Sequence, residues 1–244
     1  MNSNPPLHGL FVTGTDTGVG KTVVSEALVR LLRRQGHRVR VCKPVAAGAQ
    51  WVEDRWVSDD TIKLALAAGS DGEWDQVTPW VWPEPAAPPV AARQAGATVT
   101  LAEIVEAVRR CARPDEPVLV EGVGGLLCPL TDTETVADLV QKLGLPLIVV
   151  ARRSLGTLNH TLLTLEAAAR RGLHVAGVVI NETTSPQGLA DETNVDELRW
   201  RINTPILAVV PHHPRPPVDA LPALAAVDWP RLCLPKERNS VWKP

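Results

Sequence analysis

The sequence predicts an α/β domain, with a mainly parallel sheet and helices on both of its faces. Three observations carry that expectation. Short apolar runs alternate with segments of helical periodicity along most of the chain. The runs are unbroken by polar residues, as strands covered on both faces are. A glycine-rich turn joins the first run to the first helix.

Leu10, Phe11 and Val12 make the first strand, followed by Thr13 and Gly14. Val24, Ala27, Leu28 and Leu31 fall at i, i+3, i+4 and i+7, one helical face, and Gly36 is the expected stop. Residues 39–42 form the next strand. Asp59 and Asp60 open a helix carrying Ile62, Leu64 and Leu66, and spacing alone favours helix capping for either aspartate. Leu101, Ile104, Val105 and Val108 mark a further helix, with Thr100 and Glu103 as a capping box. Val118, Leu119 and Val120 form a strand ended by Glu121. A helix through Val136, Leu139, Val140 and Leu143 leads to a strand at 147–150. Leu158, Leu162 and Leu165 begin a helix that stops at Gly172, and strands at 175–180 and 206–210 follow. The Pro-rich stretches 80–89 and 211–217 read as stiff surface connections. Crossovers between the parallel strands are expected to be right-handed. Residues 1–228 are expected to form one domain, and 229–244 a mobile tail without periodicity.

Composition narrows the function. The chain has 244 residues, 45% hydrophobic and 21% charged, an ordinary globular balance. No apolar run approaches the roughly 18 residues of a membrane helix. The first residues carry neither a basic nor an apolar segment, so no secretory signal is expected. A net charge of -2 gives no electrostatic basis for binding nucleic acid or anionic lipid. The four cysteines are scattered and read as reduced thiols of a cytoplasmic protein. With no tyrosine in the chain, a tyrosine general acid is excluded.

In such sheets ligands gather at the carboxyl ends of the strands. Four segments fall there: 13–22, 43–48, 121–125 and Asn181. The run GTDTGVGKT at 14–22 follows a strand and opens a helix, the setting of a phosphate-binding P-loop. Its backbone N–H groups would cradle phosphate oxygens, Lys21 would neutralise them, and Thr22 would offer a hydroxyl to Mg²⁺. The first glycine, Gly14, stands one residue earlier than the strict spacing, which makes the loop a lengthened variant. Glu121 closes an apolar strand where a metal-holding carboxylate belongs, followed by Gly122, Gly124 and Gly125. Lys43 ends the second strand, pointing into the crevice or serving as a solvated strand-end charge.

Taken together, GTDTGVGKT at 14–22, KPVAAG at 43–48, VEGVGG at 120–125, TDTETVADLV at 131–140, LGTLNHTLLT at 155–164 and AGVVIN at 176–181 resemble the dethiobiotin synthetase family. The likeness runs from about residue 8 to residue 213. It implies a single-domain P-loop NTPase fold and an ATP- and Mg²⁺-dependent cyclo-ligase of biotin biosynthesis. Such an enzyme closes a cyclic urea on 7,8-diaminononanoate with CO₂, through a carbamate and a carbamic–phosphoric anhydride, and releases ADP and phosphate. The resemblance implies Lys21 and Lys43 as catalytic cations. It implies Thr22, Asp60 and Glu121 as metal ligands, Asp60 being chosen over Asp59 by counting from Lys43. Nucleotide contacts fall to Thr17, Gly18, Val19, Gly20, Lys21, Thr22, Val23, Asp60, Glu121, Gly122, Val123 and Gly124. Asn181, Glu182, Pro211, His212 and His213 would meet the base. Substrate contacts fall to Thr17, Ala47, Thr157, Leu158 and Asn159. The last three would lie on a turn that serves the neighbouring subunit of a homodimer, gripping the substrate carboxylate by backbone N–H groups.

Two departures fall on the substrate side. Ala47 stands where the family usually carries a hydroxyl, and Ala87, Pro88 and Pro89 replace its Ser-Pro-His. A same-fold paralogue acting on another amine is therefore one alternative. A partition-type ATPase switch is another, opposed by Thr15 where those proteins place a second lysine. A cobyrinate-type amidating synthetase would need a further glutaminase domain.

Overall fold

The computed structural model describes residues 6–212 and 220–234. Strand β1 (Gly9–Gly14) leads through the glycine-rich turn into α1 (Lys21–Arg34) and β2 (Arg40–Cys42). Small elements follow: β3 (Val45–Ala47), the hairpin β4 (Gln50–Val52) and β5 (Arg55–Val57), α2 (Asp59–Ala68), α3 (Trp74–Val77), β6 (Trp80–Trp82) and α4 (Pro88–Gln94). From α5 (Leu101–Cys111) alternation is regular: β7 (Val118–Gly125), α6 (Val136–Leu143), β8 (Leu147–Arg152), α7 (Thr157–Arg170), β9 (Val175–Asn181), α8 (Leu189–Arg201) and β10 (Ile206–Val210). Two short helices, α9 (Leu221–Leu224) and α10 (Trp229–Leu232), come last.

Six strands form the central sheet in the order β10-β9-β8-β1-β7-β2, and every pair is parallel. Successive strand residues serve opposite cores. Leu10, Val12, Leu119, Ile148, Val150 and Val179 pack with α1, α2, α9 and α10. Phe11, Val118, Val120, Leu147, Val149, Val178 and Ile180 pack with α5, α6, α7 and α8. Two covered faces are why the strands read as unbroken apolar runs. Each fully buried side chain of this kind contributes about 1.5–3 kcal/mol.

The structure corrects several expectations. The strand expected to end at Glu121 continues to Gly125, because Val12 pairs with Glu121 and Gly14 with Gly125 on the neighbouring β1. Neither Asp59 nor Asp60 caps α2. The cap is Ser58, whose side chain accepts a hydrogen bond from the Thr61 backbone. Residues 80–89 are not merely a loop: Trp80–Trp82 pairs with β3, and Pro88 and Pro89 begin α4. Ala87 at the cap of α4 offers no side-chain acceptor, and the two prolines remove two N–H groups that would otherwise need one. The segment expected as a tail starts inside the core. Trp229 is fully buried, its indole N–H donates to the Leu224 carbonyl, and the Gly9 backbone donates to the Cys233 carbonyl.

Helix α7 is also arranged differently. Its buried residues are Thr157, Thr161, Thr164 and Ala168, whereas Leu162 and Leu163 face outward and Leu155, just before it, is 84% exposed. The leucines expected as its core face are therefore partly on the surface.

Candidate functional site

The segments chosen from the sequence meet at one edge of the sheet. β2, β7 and β1 are adjacent strands, and their carboxyl ends carry Lys43, Glu121 and the glycine-rich turn. Asn181 ends β9 on the same edge.

The turn enters α1 through Gly20, which holds φ +90°. A Cβ there would stand 2.0 Å from Asn181 Nδ2, so both backbone conformation and space require glycine. Asn181 is buried and its Nδ2 donates to the Val19 carbonyl at 3.0 Å, tying β9 to the loop. No side chain caps α1, which leaves its first N–H groups for an anion. Asp16, within the lengthened loop, accepts from the Thr17 backbone at 2.7 Å and lies 3.5 Å from Arg152 Nη2. Lys21 is buried and its Nζ reaches the Asp16 carbonyl at 3.4 Å. Burial first, and then the charge of Lys43, lower its affinity for a proton.

The second cation is more tightly held. Lys43 is 4% exposed, and its Nζ lies 2.8 Å from Glu121 Oε1 and 2.9 Å from Asp60 Oδ2. Burial alone would drive its pKa down. The attraction of Glu121 and then Asp60, with hydrogen bonds to both, outweighs burial and raises it above the ordinary lysine value. The Thr22 hydroxyl donates to Glu121 Oε1 at 2.9 Å. Burial works against the Asp60 charge, but Lys43 and a hydrogen bond from Thr22 lower its pKa on balance. Asp59, by contrast, is exposed. Of the two aspartates, the one that reaches Lys43 is the one counted from Lys43 in the sequence.

Glu121 is 0% exposed, and its second oxygen, Oε2, is buried without a hydrogen-bond partner. An unpaired buried carboxylate oxygen is costly unless something polar meets it. Thr22, Asp60 and Glu121 together offer hard oxygen donors, the set that suits Mg²⁺ alongside phosphate oxygens. Among the described residues no group of three or more His, Cys, Asp and Glu could hold a metal without such help.

Gly122 and Gly124 are buried on β7, and Val123 between them is half-buried. Gly124 has φ +60°, and a Cβ there would lie 2.8 Å from Cys128 Sγ. Beside the turn opens a cleft of about 250 Å³. It is lined by Gly18, Gly20 and Val23 on the phosphate side and by Asn181, Glu182, Thr183, Val210, Pro211, His212 and Ala220 on the other. Gly18, Gly20, Val23, Asn181, Glu182, Pro211 and His212 of the expected nucleotide residues therefore share one cleft. His213 lies outside the described residues.

The expected substrate residues are more scattered. Thr17 is exposed on the loop. Ala47 is half-buried on β3 and packs against the core that contains Phe11. Thr157, Leu158 and Asn159 form the first turn of α7, and none of them lines the cleft. Gly156 precedes them with φ +91° and no side-chain cap, and Asn159 is exposed. Arg152 and Arg153 were missed from sequence. Arg152 ends β8, and the strand-end rule that selected Lys43 would have found it.

Residues 8–216 match a family model described as an AAA domain. The chain is 43% identical over 202 residues to the ATP-dependent dethiobiotin synthetase BioD of Aromatoleum aromaticum, covering 83% of this chain and 89% of that one. It is 45% identical over 208 residues to the BioD of Anaeromyxobacter dehalogenans strain 2CP-C, covering 85% and 92%. To that of Ralstonia nicotianae it is 42% identical over 224 residues, covering 92% and 96%. Among solved structures, the septum site-determining protein MinD of Pyrococcus horikoshii, complexed with Mg-ADP, superposes with a TM-score of 0.51. That match covers 93% of this chain and 94% of MinD at 17% identity, a likeness of fold alone.

Proposed function

The chain belongs to the ATP-dependent dethiobiotin synthetase family, ligases of biotin biosynthesis, and from that premise we propose how its site carries out the reaction. The substrates are 7,8-diaminononanoate, CO₂ and ATP. One amine of the diamine captures CO₂ as a carbamate. A carbamate oxygen attacks the γ-phosphorus and expels ADP, forming a carbamic–phosphoric anhydride. The second amine then attacks the carbonyl carbon, phosphate leaves, and the urea ring is closed.

The observation that carries this reading is Lys43, a buried ammonium fixed between Glu121 and Asp60 beside the phosphate loop. Carbamate and triphosphate are both anions, and their approach needs positive charge between them. Lys43 supplies one that its two carboxylates keep protonated. Lys21 supplies the other, and a triphosphate beside it would restore the proton affinity that burial removes. Mg²⁺ held by Thr22, Asp60 and Glu121 would neutralise charge on the terminal phosphates. The bare N–H groups of the loop and of α1 orient the triphosphate, and Asn181, Glu182, Pro211 and His212 enclose the base. Asn181 Oδ1 remains available as an acceptor, since Nδ2 is used on Val19.

The active unit in this reading is a homodimer. The uncapped start of α7 suits a carboxylate, yet it does not line its own cleft. Exposed Leu155, Leu162 and Leu163 supply an apolar surface beside it for a second copy. No helix among the described residues is long and apolar enough to cross a membrane.

A steady-state assay with 7,8-diaminononanoate, bicarbonate and Mg-ATP tests the proposal. The expected product gains one carbonyl as its ring closes, with one ADP per ring. Hydrolysis of ATP that ignores the diamine would refute it, as would catalysis by a monomer at sedimentation equilibrium for the shared pocket.

A further inference from the structure

Arg153 follows the last residue of β8 and does not itself line the cleft, yet its backbone and side chain are engaged by several partners. Its backbone N–H donates to the Asn181 carbonyl at 3.0 Å, which carries the side chain over the end of β9. Its Nη1 donates to Glu182 Oε1, its Nε to the Asp191 carbonyl, and its Nη2 to the Glu192 carbonyl at 3.5 Å. The other oxygen of Glu182, Oε2, accepts from the His212 backbone N–H at 3.0 Å. Glu182 also donates its own N–H to the Val210 carbonyl. The side chains are only 20% exposed for Arg153 and 9% for Glu182.

Glu182 and His212 both line the cleft. A free carboxylate in that wall would face an anionic ligand, and the His212 backbone would lose its fixed partner. The Arg153 guanidinium removes both problems: it neutralises Glu182 and fixes the orientation that holds His212. Its planar fork spreads donors on three nitrogens over a carboxylate and two carbonyls, whereas the three donors of a lysine radiate from one atom.

We propose that Arg153 is a positioning residue for base recognition, holding the Glu182–His212 wall of the cleft without touching the ligand. The inference rests on reading the cleft as the nucleotide site. It separates two parts of nucleotide affinity: the triphosphate part belongs to the loop of Gly20 and Lys21, and the base part depends on Arg153.

Calorimetric titration of the full chain with Mg-ATP and, separately, with Mg-tripolyphosphate distinguishes these parts. In Arg153→Met the ATP dissociation constant should rise by about tenfold, the loss of hydrogen bonding to a charged group. The tripolyphosphate constant should stay within about twofold. Arg153→Lys keeps the charge with fewer donors, should fall between wild type and Arg153→Met, and gives the same comparison if the methionine variant does not fold. An unchanged ATP constant, or equal losses for both ligands, would overturn the inference. A wild-type chain that binds neither ligand would instead refute the nucleotide site itself.

Discussion

The edge of the site proposed to hold phosphate and the edge proposed to hold substrate are built to different standards. At the phosphate edge, Lys43, Glu121, Asp60 and Thr22 form one closed network, and Asn181 clamps the loop from a separate strand. At the proposed substrate edge, Ala47 and Ala87 carry no polar group, and the first turn of α7 does not line the cleft. The difference teaches where each kind of precision comes from. Charge on phosphate can be met by groups fixed to adjacent strands of one sheet. In the proposed dimer, a flexible diamine with a distant carboxylate would be gripped by surfaces from two copies of the chain.

The sharpest way to break the contrast is to open the closed network. Lys43→Met should lower turnover by about a thousandfold. It should also cost stability, because Glu121 is left charged and unpaired in the interior, typically about 3–5 kcal/mol. Adding Glu121→Gln should recover most of that stability in denaturant titrations and none of the activity. A single variant as stable as wild type would show that Glu121 does not depend on Lys43.

Lys21→Ala should cost a comparable few hundredfold in turnover but little stability, since its ammonium reaches only a backbone carbonyl at 3.4 Å. Matching melting curves with lost activity are the expected pair of results. Glu121→Gln alone should raise the Mg²⁺ concentration for half-maximal activity by about tenfold, read from a metal titration at saturating ATP. On the other edge, Ala47→Ser should lower the diamine KM by about two- to tenfold and leave the ATP KM alone. A shift in the ATP KM instead would move Ala47 to the phosphate side.

The smallest expected effect is a flat line. The raised Lys43 pKa gives a contribution complete below the unfolded lysine value and lost only as pH rises through the higher folded one. The lowered Asp60 pKa gives one present above the unfolded aspartate value and lost as pH falls through the folded one. Between those limits, from about pH 6 to about pH 9, the stability gap between wild type and Lys43→Met/Glu121→Gln should not change.

The phosphate edge was also the more legible from sequence. Strand ends announce themselves through apolar runs, and Lys43, Glu121, the 14–22 turn and Asn181 all terminate or follow such runs. The small elements between β2 and α5 were hidden because three-residue strands carry no periodicity to read. The partnership of Lys43 with Asp60 was equally out of reach of periodicity, since it depends on how the β4–β5 hairpin returns the chain. Ser58 rather than an aspartate caps α2 because three adjacent residues could all accept the same N–H group, and only geometry chooses among them. Arg153 was silent because its partners come from two segments well separated from it in sequence, the end of β9 and the start of α8.

Helix α7 keeps threonine hydroxyls inward, those of Thr157 and Thr161 without a partner, and turns leucines toward water. For a solitary molecule in dilute solution this inverts the thrift of an ordinary amphipathic helix. If a second copy covers those leucines, heat tolerance ceases to be a fixed property of the chain and becomes a function of how much of it is present: each dilution should bring the melting temperature down.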